Sequence, residues 1–155
     1  IAGKALARGN FAPITSLGVH VGRETPDGVL YLMLEGGAGW DEGPSSGRDP
    51  ALSWKVGVEN ASTKHGFGWH AFYNQHESGG TILATNAVSR GVGAGLTCRK
   101  VTSGLARLGL LARLTVGAEH LGTQGSDAYK PQIRKALWAG VSLGFTFGLG
   151  AKKSR

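Results

Sequence analysis

Apolar residues recur at every second position along most of this chain. Leu52, Trp54, Val56 and Val58 alternate with Ser53, Lys55, Gly57 and Glu59. Phe67, Trp69, Ala71 and Tyr73 alternate with Gly68, His70, Phe72 and Asn74. Over 91–99, Val92, Ala94, Leu96 and Cys98 stand between glycines, Thr97 and Arg99. Over 108–119, Leu108, Leu110, Ala112, Leu114, Val116 and Ala118 interleave with Gly109, Leu111, Arg113, Thr115, Gly117 and Glu119. The same alternation fills 137–149, from Leu137 to Leu149. A period of two sends successive side chains to opposite faces of an extended chain, so these segments read as β-strands.

Seven strands follow, at about 14–23, 28–40, 51–60, 65–77, 88–99, 105–120 and 133–149. The N-terminal piece "AGKALAR" supplies an eighth. The connections alternate between short (24–27, 61–65, 100–104) and long (41–50, 78–87, 121–132). Such alternation is the habit of outer-membrane barrels, with short turns on one side and long loops on the other. The expectation is one all-β domain over 1–155, an antiparallel up-and-down β-barrel of about eight strands, of outer-membrane type. Both termini then lie at the short-turn end. "GVSLGF", 140–145, resembles the C-terminal insertion signal of outer-membrane barrels, although the chain continues beyond its aromatic residue.

Two other folds fit parts of the pattern. The uncharged run 136–151, with Gly140, Gly144 and Gly148 spaced by four, could be read as a membrane helix. It is shorter than the ~20 residues a helical span needs, and spacing by four also fits a strand. A soluble β-sandwich or barrel would alternate too, with its apolar face turned inward. Composition favours the membrane reading. The chain carries 27 glycines among 155 residues, spread through the polar faces of the strands instead of gathered in a linker. A face of glycines with occasional Arg, Glu, His and Lys suits a crowded barrel lumen, where Lys55, Glu59, Arg99, Arg113 and Glu119 can pair and His20 and His70, on the same side, join them. On that reading Gly93→Leu and Gly144→Leu should harm folding more than Ala94→Leu. Trp40, Trp69 and Tyr73 become interface or lipid-facing aromatics.

A net charge of +7 permits an anionic partner. In a barrel that partner is outer-membrane lipid or lipopolysaccharide, with nucleic acid the weaker choice. The single cysteine, Cys98, excludes an intrachain disulfide. The first residue, Ile1, reads as that of a processed or trimmed chain. Asp41, Glu42 and Asp49 lack the regular spacing of a cation loop, and "GVGAG", 91–95, lacks the Lys-Ser/Thr and helix of a phosphate loop. No metal and no cofactor is expected.

The candidate chemistry lies in "YNQHESGGTILATN", 73–86. His76 and Ser78 stand two apart, and Asn86 follows the histidine by ten. This His-x-Ser arrangement resembles the lipid A 3-O-deacylase family of small outer-membrane barrels, and it is similar to the His-x-Ser block of outer-membrane phospholipase A. The resemblance implies Ser78 as nucleophile, His76 as its base, and Asn86 as a loop or oxyanion-site residue. The deacylase family has an orienting glutamate fourteen residues after the histidine, where this chain has Arg90. Parity also turns His76 and Ser78 to the luminal side, with Asn74 and His70, unless a bulge near Gln75 reverses it. Glu119 and His120 are a possible substitute orienting pair at the same rim.

The leading expectation is therefore a bacterial outer-membrane barrel with a packed polar lumen and a structural or interaction role, leaning away from enzyme. The alternatives are a lipid A or phospholipid acyl hydrolase using His76 and Ser78, and a soluble basic β-protein within a larger assembly such as a virion.

Overall fold

A computed structural model describes residues 2–6, 11–42, 48–79, 86–102, 106–124 and 134–149. Its strands are β1 (Ala2–Leu6), β2 (Phe11–Thr25), β3 (Gly28–Glu42), β4 (Arg48–Ala61), β5 (Phe67–Gly79), β6 (Asn86–Val101), β7 (Ala106–Gln124) and β8 (Arg134–Leu149). Seven long strands, β2 to β8, pair antiparallel with their sequence neighbours and curl into a half-barrel. Residues 134–149 form β8, so the helical alternative for 136–151 does not hold.

The five-residue β1 pairs with β2 on one side and β8 on the other, joining the two ends of the sheet over that short stretch. Toward the short turns the ends part. Among the described residues, β2 from Thr15 to Thr25 pairs only with β3, and β8 from Leu143 to Leu149 pairs only with β7.

The short turns are tightly made. Pro26 and Asp27 alone link β2 to β3, and Thr25 Oγ1 donates to the Gly28 carbonyl at 3.1 Å. Between β4 and β5 the Gly66 N–H donates to the Ser62 carbonyl at 2.9 Å with φ +78°. That left-handed backbone is open to glycine at little cost and strained for most other residues.

Side-chain parity holds along the long strands among the described side chains. Leu110 is 59% exposed, Leu114 55% and Val116 64%, whereas Arg113 between them is 6% exposed. The apolar face points out and the glycine and charged face points in.

The inward glycines make room for a few large side chains. One inward row crosses the strands as His20, Met33, Gly57, Phe72, Gly93, Gly117 and Trp138. A Cβ on Gly93 would lie 2.7 Å from Phe72 Cζ and 3.2 Å from Trp138 Cζ2, and one on Gly117 would lie 2.5 Å from Trp138 Cε2. Phe72, Trp138 and Met33 form the one buried apolar cluster among the described residues. Gly144 corrects the expectation made for it. A Cβ there would meet nothing within 4 Å. It lies where β8 has no second neighbour, so the crowding found at Gly93 does not extend to it.

Candidate functional site

Charged side chains sent inward must find partners, because a buried ion without one is costly. Here five side chains from five strands close a cycle. Arg99 Nε donates to Glu59 Oε1 at 2.6 Å, and Arg113 Nε donates to Glu59 Oε2 at 2.7 Å. Arg113 also reaches back with Nη1 to Glu35 Oε1 at 2.5 Å. His20 Nε2 lies 3.0 Å from that same Glu35 oxygen, and Arg99 Nη2 lies 2.5 Å from His20 Nδ1. A guanidinium only donates, so Nδ1 accepts, and the imidazole proton sits on Nε2 facing Glu35. Two cations and two anions balance within the cycle. It ties β2, β3, β4, β6 and β7 together over sequence separations of 15 to 79 residues.

Neighbouring groups complete the plug. The Arg99 guanidinium lies 4.2 Å from the Tyr31 ring centroid, and Arg113 Nη2 contacts Met33 Sδ at 3.4 Å. His70 Nε2 pairs with Thr115 Oγ1 at 2.9 Å. Closer to the long connections, Asn74 Nδ2 donates to Glu119 Oε1 at 2.9 Å. A small cavity of about 40 Å³ lies among Ser53, Lys55, Phe72, Asn74, His76 and Trp138, space on the scale of a water molecule. The expected luminal lattice is thus present in Glu59, Arg99 and Arg113. Glu119 accepts from Asn74, and Lys55 stands 5.2 Å from the Phe72 ring centroid.

Glu35 was not anticipated, although it is one of the two carboxylates at the centre. Its strand reads "VLYLMLEGGAGW", where outward Leu30, Leu32 and Leu34 alternate with inward Tyr31, Met33 and Glu35. Both faces carry large apolar residues, which blurs the alternation. The parity of Glu35 with Tyr31 and Met33 was the available signal.

The residues singled out at the rim divide between the two faces of the wall. Strand β5 pairs one-to-one with β4 and β6 through this region, without a bulge, including Ser53↔His76↔Ser89 and Ala51↔Ser78↔Ala87. His76 therefore faces inward and is 6% exposed. The backbone of Ser78 sits two residues on, and its side chain lies outside the described residues, as do those of Asn86, Asp41, Glu42 and Asp49. Arg90 is exposed on the outer face, opposite in direction to His76, and its Nε donates to Gln75 Oε1 at 3.2 Å. Gln75 Nε2 in turn donates to Glu77 Oε1 at 2.6 Å. Glu119 is buried inside and His120 is exposed outside, so these neighbours do not meet as a pair. Among the described residues, no group of three His, Cys, Asp or Glu side chains is arranged to hold a metal ion.

The outer face is apolar around the sheet. Leu17 is 86% exposed, Leu137 74% and Phe145 90%, and the same face carries Val19, Val21, Leu32, Leu34, Leu52, Leu96 and Leu108. Trp40 and Trp54 stand on it near the long connections, with the Trp54 and Tyr73 ring centroids 5.5 Å apart. Phe67 and Trp69 stand near the short turns.

The chain matches no family model, no curated protein and no solved structure. The likeness to lipid A deacylases thus rests on the 73–86 motif alone. What the fold adds is an antiparallel half-barrel with buried salt bridges inside.

Proposed function

We propose that this chain is a small outer-membrane-type β-barrel with a packed, ion-paired lumen and a structural or interaction role in a bacterial outer membrane. The observation that carries this reading is the inversion of the two faces, ions inside and large apolar residues outside. A soluble sheet exposing this much contiguous apolar surface would associate or aggregate. Lipid is the solvent that such a face suits.

The dimensions agree. Outward apolar positions on β7 run from Leu108 to Ala118, eleven residues, and on β6 the residues between Arg90 and Lys100 number nine. A tilted transmembrane strand needs ~9–11 residues. Aromatic residues at both ends of the band take the place of interface girdles. An eight-stranded barrel has an interior that side chains can fill, and the Glu59–Arg113 network together with Phe72 and Trp138 occupies it. This favours a structural or binding barrel over a diffusion pore. His76 points inward without a bulge, so no observation here favours the acyl-hydrolase alternative.

The test is refolding from urea with and without phosphatidylcholine vesicles. The proposed barrel folds and floats with the vesicles, migrates faster on gels before heating than after, and precipitates in detergent-free buffer. A monodisperse, folded protein in buffer without detergent or lipid contradicts it and supports the soluble alternative.

A further inference from the structure

Four outward residues stand directly opposite one another across β5 to β8: Gln75, Arg90, His120 and Lys135. The last three are exposed and basic or basic when protonated. Adjacent strands lie ~4.8 Å apart, so the three groups lie along ~10 Å of the outer wall. The Gln75 carbonyl oxygen accepts the Arg90 Nε–H, which orients the guanidinium within the row. The nearest outward carboxylate described on these strands, Glu77, is itself engaged by Gln75 at 2.6 Å.

The row lies at a boundary. Immediately toward the short turns the next outward row reads Tyr73, Val92, Ala118 and Leu137, and the one after it Ala71, Ala94, Val116 and Ala139. Alanines between valine and leucine leave a shallow apolar floor directly beneath the cations. The Trp54–Tyr73 pair borders it on the β4 side. Cations above an apolar floor match an amphiphile with an anionic head and acyl chains. A guanidinium and an ammonium on either side of an imidazole, on three successive strands, suit a phosphate, whose oxygens accept from several donors at once.

We propose that Arg90, His120 and Lys135 form a binding site for the phosphate of an anionic lipid in the leaflet at the long-connection end, its acyl chains lying on the Ala94–Ala118–Leu137 surface. The site rests on the membrane reading given above. The occupant is a lipid phosphate and not a free one, because the apolar floor adds binding only for an amphiphile. Among the described strand residues, the outward basic residues toward the short turns form no comparable row: Arg23 and Lys100 stand on β2 and β6, which do not pair.

The test uses the intact chain refolded in a neutral detergent, with retained lipid measured by native mass spectrometry. The probes are bis-phosphorylated lipid A and the same lipid with its phosphates removed, with inorganic phosphate as competitor. The variants are Arg90→Gln/His120→Gln/Lys135→Gln and a control, Arg23→Gln/Lys100→Gln, each removing two formal positive charges with histidine counted neutral. Circular dichroism and unheated gel mobility verify that each is folded. We expect the phosphorylated lipid to bind about tenfold tighter than the dephosphorylated one. The row variant should lose that preference while the control keeps it, and inorganic phosphate should fail to displace the lipid. Equal binding of both lipids, equal losses in both variants, or full displacement by inorganic phosphate would overturn the site. None of these results bears on whether the chain needs a bilayer to fold, so the site and the membrane reading fail separately.

Discussion

A guanidinium held between two carboxylates leaves both of them exposed to each other when it is removed. Arg113 is in that position, donating to Glu35 and Glu59, with Glu59 fully buried. Removing one partner of a buried ion pair costs about 3–5 kcal/mol, much of it from the charge left behind. Arg113→Met should therefore destabilise the folded protein by about that amount. Adding Glu35→Gln should recover a large part of the loss, because groups in one network do not contribute additively. Urea titration of vesicle-bound protein measures both, and a loss below about 1 kcal/mol for Arg113→Met would mean that the cycle contributes little. The inward glycines give a second prediction. Gly93→Leu must displace Phe72 and Trp138 and should cost about 1–3 kcal/mol by overpacking, whereas Ala94→Leu grows outward and should cost little. Gly144→Leu should resemble Ala94→Leu, given its open surroundings. The inward direction of Glu59, Arg99 and Arg113 was legible from parity alone. That His20 joins them was legible in the same way, but the bridging role of Glu35 was not, since both faces of its strand carry large apolar residues.

At the scale of the strand, alternation in sequence carried most of the fold. Between Leu108 and Ala118 every outward residue is apolar and every inward one is glycine, charged or threonine apart from Leu111, which fixes both the strand and its faces. Strand ends were less legible. Polar residues such as Asp41, Glu42, Arg48 and Asp49 read as loop, yet they extend β3 and β4, because a ladder continues through backbone hydrogen bonds whatever the side chain. The same regularity bears on the His76 and Ser78 motif. A one-to-one register through β5 turns His76 inward, away from any lipid ester on the outer wall. Arg90, where the deacylase resemblance places a glutamate, is on the outer face and could not orient the ring. The expected outcome is no acyl release when refolded protein is incubated with lipid A or phospholipid. Release by the wild-type chain that disappears in Ser78→Ala would reverse this and establish the hydrolase.

At the scale of the molecule, the ends of the sheet meet through β1 near the long connections, and toward the short turns β2 and β8 have no second partner among the described residues. Periodicity within single strands does not reveal that, because it carries no information on which residues of β2 and β8 lie opposite β1. The outward band nevertheless runs through all the long strands and the inward ion cycle through five of them, and together they support the proposal that the outer face is solvated by lipid. The most direct measurement is a nitroxide scan along the outer face of β7. Residues Leu110, Ala112, Leu114, Val116 and Ala118 are replaced singly by cysteine in a Cys98→Ser background, spin-labelled and refolded into phosphatidylcholine vesicles. The account predicts high oxygen and low nickel-chelate accessibility, with the ratio greatest at Leu114 and falling toward both ends. High nickel-chelate accessibility at all five positions would place that face in water and contradict the account.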